Sequence, residues 1–151
     1  MKVYADTSVF GGVYDQEFDE PSKEFFAEVE SGRFDLVVSA VVKAEISSAP
    51  KEVQELFQRV VGESEIAELT QEVLDLRNAY LSAGVVTPKS TDDAAHVALA
   101  TITRCRMIVS WNFKHIVHFE KIPKYNAVNA LRGYHAIDIF SPSQVIDYDD
   151  S

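Results

Sequence analysis

The chain has 151 residues, 46% of them hydrophobic, which suffices for one core and is too little for two ordinary domains, so a single domain over residues 1–151 is expected. No apolar run approaches bilayer length, and Met1-Lys2-Val3-Tyr4-Ala5 reaches Asp6 before a signal-peptide core could form; the expectation is an unprocessed, cytoplasmic protein with no membrane partner. The lone Cys105 excludes an internal disulfide and a paired thiolate centre, and a formal charge of −10 argues, at first, against nucleic acid.

Met1 to Ala5 reads as a short buried strand, and Asp6-Thr7-Ser8 leads from its carboxyl end towards Gly11-Gly12. After Glu20-Pro21-Ser22, residues 23–31 read as a helix with Phe25, Phe26 and Val29 on one face and Gly32 ending it. Leu36 to Ser39 is a second buried strand, 41–47 a short helix carrying Glu45, and Lys51 to Val61 an amphipathic helix opened by Pro50. Thr70 to Ala83 is a further helix closed by Gly84. Ser90-Thr91-Asp92-Asp93 has a capping-box-like pattern ahead of a helix that is apolar on nearly every side as far as Ile102. Met107 to Ser110 is a third core strand, Asn126 to Leu131 a helix stopped by Gly133, and Ala136 to Phe140 a fourth strand. Strands alternating with helices predict an α/β fold with a mainly parallel sheet covered on both faces.

Charge is distributed unevenly. Residues 1–103 hold 8 basic and 19 acidic side chains, whereas 104–132 hold Arg104, Arg106, Lys114, Lys121, Lys124 and Arg132 against Glu120 alone. That segment is read either as a phosphate-facing surface or as a solvated face.

Four oxygen donors stand at the mouths of separate elements: Asp6, Glu45, Asp93 and Asn112. Carboxylates converging at one sheet edge repel, and a cation, a shared proton or basic partners must compensate. Mg²⁺ or Mn²⁺ suits such donors, holds a phosphate oxygen and lowers the pKa of water, which points to metal-assisted phosphodiester hydrolysis. Each residue also has a plain reading: Asp6 in an Asx-turn, Glu45 as a solvated side chain, Asp92 and Asp93 serving a helix N-terminus, Asn112 as a loop residue.

Val3-Tyr4-Ala5-Asp6-Thr7-Ser8-Val9-Phe10, Val42-Lys43-Ala44-Glu45-Ile46, Asp93-Ala94-Ala95-His96-Val97-Ala98-Leu99-Ala100 and Ile108-Val109-Ser110-Trp111-Asn112-Phe113 resemble, in order, the four blocks of PIN domains. The resemblance implies a three-layer α/β/α sandwich with a mainly parallel sheet of about five strands, and an Mg²⁺- or Mn²⁺-dependent ribonuclease like the VapC-like toxins of toxin–antitoxin pairs. It implies RNA as substrate, a small antitoxin protein as partner and a homodimer. Asp6, Glu45 and Asp93 match the three principal acids, Ser8 the hydroxyl near the first, and Ser110 the Ser/Thr before the fourth acid. Asn112 stands where the family most often has Asp, and Asp92 is the candidate to supply the missing charge.

The alternative is a catalytically weakened PIN-like module that binds RNA or protein. An aspartyl-phosphate phosphatase is disfavoured because position 8 is Ser and not a second Asp, and a phosphoacceptor receiver domain because its acid lies on a later strand. His115 and His118 lack a third ligand in register for zinc and are read as surface histidines near phosphate. His96 is expected to pack and hydrogen-bond beside the acids, Trp111 is a candidate to stack a base, and Phe113 is expected in the core.

Overall fold

A computed structural model of the chain describes residues 1–62 and 64–148; the end of the expected domain, with Asp149 and Asp150 of the acidic tail, lies outside the described residues. Five strands form one parallel sheet: β1 (Lys2–Ala5), β2 (Asp35–Ser39), β3 (Glu65–Ala67), β4 (Met107–Val109) and β5 (Asp138–Phe140), in the order β3-β2-β1-β4-β5. Strands paired on both sides and covered on both faces carry apolar side chains in succession; Val3, Tyr4 and Ala5 are all buried, as are Met107, Ile108 and Val109. Register sets Tyr4 beside Val37 on one flank and Ile108 on the other.

The helices are α1 (Thr7–Gly12), α2 (Asp19–Glu30), α3 (Ala40–Ile46), α4 (Lys51–Val61), α5 (Gln71–Ser82), α6 (Thr91–Ile102), α7 (Lys121–Leu131) and α8 (Pro142–Val145). They pack as two groups. One joins α1 to α2 and α4, and α2 to α8; the other joins α5 to α6 and α7, and α3 touches both α1 and α6. The sandwich is the three-layer α/β/α arrangement expected. No helix of the described residues is long and apolar enough to cross a membrane.

Two elements depart from the periodicity. α1 occupies a stretch to which the periodicity assigned no element, because the Asp6 side chain accepts from Ser8 N–H and caps a helix that includes Gly11 and Gly12. β3 is a three-residue edge strand, Glu-Ile-Ala, too short to show an alternation. The capping box expected at Ser90 does not form: Ser90 makes no side-chain cap bond, a 3₁₀ turn (Pro88–Ser90) leads into α6, and Thr91 Oγ1 donates back to Pro88 O.

α7 also starts five residues before the expected Asn126, and its asparagines hold the fold. Asn126 exchanges two hydrogen bonds with the backbone of Ile137, and Asn129, fully buried, accepts from Tyr80 and donates to Thr101. Cys105 is a buried core residue.

Candidate functional site

In a parallel sheet the carboxyl ends of the strands open into a crevice, and here the chain leaves β1, β2 and β4 at Asp6, Ser39 and Ser110. Asp6 is almost fully buried. Its Oδ1 accepts from Ser8 N–H at 3.1 Å and Ser8 Oγ at 2.5 Å, and its Oδ2 accepts from Ser110 Oγ at 2.6 Å. Those two hydroxyls also fix the turn after β4, since Trp111 N–H donates to Ser8 Oγ and Asn112 N–H to Ser110 Oγ. Asp6 therefore combines the bland role, a helix cap, with a central one.

Glu45 comes from α3, whose N-terminus Ser39 caps by accepting from Val42 N–H. Its Oε1 accepts from Thr7 Oγ1 at 2.9 Å and contacts His96 Nε2 at 2.7 Å. Asp93, half-buried in the first turn of α6, accepts at Oδ1 from Asn112 Nδ2 at 3.0 Å. The Asn112 amide is oriented by chemistry: Oδ1 accepts from the backbone N–H groups of Lys114 and His115, so only the NH₂ can face Asp93. Its oxygen, expected to stand in for a carboxylate, is thus spent on the loop.

Electrostatics tie the acids together. Burial pushes Asp6 above the ordinary carboxyl range, against the lowering pull of His96, Ser110 and Ser8, and Glu45 adds to the rise. Burial also raises Asp93; His115 and His96 oppose it, and the charges of Asp6 and Glu45 reinforce it. At Glu45 the burial penalty is outweighed by His96 and Thr7, and the carboxyl falls below its usual range. His96 rises despite burial because Glu45, Asp6 and Asp93 surround it with negative charge.

Among the described residues no three His, Cys, Asp or Glu side chains are gathered closely enough to hold a metal ion as they stand. The donor chemistry nevertheless fits a hard cation. Glu45 Oε2 and Asp93 Oδ2 accept no hydrogen bond from the described residues, and Asp6 Oδ2 accepts only one, so each acid keeps a lone pair free.

Other expectations resolve by position. Asp92 is exposed and makes no side-chain hydrogen bond among the described residues. Phe113, expected in the core, is 48% exposed, and Trp111 is the buried member: its ring stacks on Phe18 with centroids 4.1 Å apart and its Nε1 donates to Ser22 Oγ. Alternation along a strand does not apply to 111–113, which form a turn. His115 is half-buried beside Asp93, with no partner for Nδ1 among the described residues, and His118 stacks on the exposed Phe119. The basic segment is not one patch. Arg104 and Arg106 precede β4 at the opposite edge of the sheet, where Arg106 pairs with Asp138, while Lys114 and the start of α7 with Lys121 and Lys124 follow its carboxyl end. Sequence reasoning missed Thr7 and Tyr4; the Asp-Thr-Ser run, a cap followed by two hydroxyls, was the signal available for Thr7, and Tyr4, inside a buried strand, left none.

No family model matches the chain, and no curated protein matches it. Among solved structures, it is similar to a chain in the crystal structure of VapBC2 from Rickettsia felis bound to a DNA fragment from their promoter, with a TM-score of 0.60 at 13% identity over 93% of this chain and 98% of that one. It is similar in the same measure to a chain in the crystal structure of FitAcB from Neisseria gonorrhoeae, with a TM-score of 0.60 at 14% identity and coverage of 93% and 98%. At such identity the likeness establishes the fold alone: a PIN-like three-layer sandwich shared over nearly the whole of each chain.

Proposed function

We propose that the chain is a divalent-metal-dependent endoribonuclease that hydrolyses RNA phosphodiester bonds and serves as the toxin of a toxin–antitoxin pair, with a small antitoxin protein as partner and a second copy as dimer mate. The observation that carries the chemistry is the free lone pair left on each of Asp6, Glu45 and Asp93, three acids from three elements that share one electrostatic field. The pairing with an antitoxin is supported by the fold in common with VapBC2, and no more than the fold is shared.

Asp6, Glu45 and Asp93 would hold Mg²⁺ or Mn²⁺. When bound, the ion supplies positive charge for a phosphate oxygen and lowers the pKa of water to make a nucleophile. The chain's own residues do the rest. Ser8 and Ser110 fix the Asp6 carboxylate from both sides, and Thr7 and His96 hold Glu45. The Asn112 amide steadies Asp93, and exposed Lys114 beyond β4 offers a charge to the RNA backbone.

A second reading, a weakened PIN-like module that binds RNA or protein without turnover, is favoured by one contact: Asn112 donates to the Asp93 oxygen where the family most often presents another acid. Incubating a single-stranded RNA with the protein in Mn²⁺, in EDTA, and as Asp6→Asn separates the two. Cleavage confined to the wild type with metal supports the enzyme, and binding without cleavage in all three supports the module.

A further inference from the structure

Tyr4 lies in the central strand with its side chain wholly buried, and its hydroxyl sits 2.7 Å from Ser39 Oγ and 2.7 Å from His96 Nδ1. On the far side of that imidazole, Nε2 is 2.7 Å from Glu45 Oε1. The direction of the line follows from counting hydrogens. Ionised Glu45 can only accept, so Nε2 carries the proton; a neutral imidazole then has a bare Nδ1, which takes the Tyr4 hydrogen, and the Tyr4 oxygen accepts from Ser39 Oγ. Run the other way, the Ser39 hydrogen has no acceptor among the described residues.

Glu45 needs such an anchor. Its side chain is 37% exposed on a seven-residue helix, and an unheld glutamate there samples several rotamers. Thr7 and His96 both bind Oε1, so the carboxylate is pinned by one oxygen and presents the other. We infer that Tyr4 and His96 are positioning residues: Tyr4 holds the imidazole ring at Nδ1, and His96 holds Glu45 by Oε1 and leaves Oε2 open to a cation. A carboxylate oriented by a buried imidazole is pre-organised for a cation and loses less freedom on binding it. The consequence for metal rests on the divalent-site reading above; the relay itself does not.

The test reads both separately. Nitrogen-15 NMR of the metal-free protein over a pH series should find the neutral form of His96 protonated at Nε2, and Tyr4→Phe, which deletes one oxygen, should move the Nδ1 signal towards that of a nitrogen with no hydrogen-bond donor. Calorimetric titration with Mn²⁺ should find affinity about tenfold lower for Tyr4→Phe and His96→Leu, and largely rescued in His96→Gln, whose amide can still donate to Glu45. Should His96→Leu fail to fold, Tyr4→Phe and His96→Gln carry the comparison. Equal Mn²⁺ affinity in wild type, Tyr4→Phe and His96→Leu overturns the positioning role, and an Nδ1 signal unmoved by Tyr4→Phe overturns the relay. A wild type that binds no Mn²⁺ overturns the divalent reading instead, while the NMR arm still decides the relay.

Discussion

Asn112 hands an amide hydrogen to Asp93 Oδ1 across 3.0 Å, while its own oxygen is held by two backbone N–H groups of the turn that follows. One side chain thus closes the loop and neutralises part of an acid. Changing it to aspartate keeps the acceptor for the loop and turns the donor into a second anion facing Asp93. Asn112→Asp should therefore destabilise the metal-free protein by about 1–3 kcal/mol and make its melting temperature more responsive to Mg²⁺ or Mn²⁺ than that of the wild type. Thermal melts with EDTA and with excess ion measure both; unchanged melting in EDTA would mean that the two side chains do not meet.

Burial, reinforced by Asp6 and Glu45, makes the folded protein hold the Asp93 proton more tightly than the unfolded chain does. A raised carboxyl costs stability as pH climbs from the unfolded value, here 3.8, and the cost is complete once pH passes the raised folded value. In EDTA, the stability of the wild type should accordingly fall relative to Asp93→Asn across that window and then run parallel to it. Denaturant titrations from about pH 3.5 to about pH 7 give the difference curve, and a flat one would remove Asp93 from the shared field.

Gly12 and Gly11 should respond oppositely to alanine. A Cβ on Gly12 would stand 2.6 Å from Trp111 Nε1 and 2.6 Å from Ser22 Oγ, whereas one on Gly11 meets nothing within 4 Å. Gly12→Ala should cost about 1–3 kcal/mol by wedging Trp111 off Ser22, and with it the turn that delivers Asn112. Gly11→Ala should be neutral or stabilise α1 by up to about 1 kcal/mol. Chemical denaturation of the pair decides it.

If RNA lies along the carboxyl edge, Lys114→Ala and Lys121→Ala should weaken its binding and flatten the salt dependence, each by about one unit of slope. Arg106→Ala, at the opposite edge and paired with Asp138, should change neither. Fluorescence anisotropy over a salt series measures the slopes; identical slopes in all three variants would return the lysines to ordinary solvated surface.

Much of this architecture is legible from residue pattern because buried parallel strands need unbroken apolar runs, and Val3 to Ala5, Leu36 to Val38 and Met107 to Val109 supply them. The α4 boundaries, Lys51 and Val61, fall where the proline and the stripe put them. Edge strand β3 leaves no such trace, since one face pairs and Ile66 remains 38% exposed. The positions of Asp6, Glu45 and Asp93 at element ends were readable, as were Ser8, Ser110 and His96 as polar neighbours; which oxygen each one fills was not. Thr7 and Ser110 meet the acids, and Tyr4 meets His96, only through pairing between distant segments, and no periodicity encodes which lone pair a hydroxyl will fill.

The hydroxyl that completes Asp6 lies 104 residues downstream of it. A ribosome makes β1 and β2 early, and they can pair as soon as both emerge, yet β1 gains its other neighbour only with β4. Until residue 110 has emerged, Asp6 Oδ2 has no hydroxyl to hold it, and until residue 112 has emerged Asp93 has no amide. Because a domain assembles such contacts only once the strands that carry them exist, a growing chain withholds the finished set of acid contacts until residue 112 has left the ribosome. On the RNA hydrolysis proposed above, that order of synthesis is a delay built into the topology: the chain cannot act on its own message before β4 and the turn after it exist.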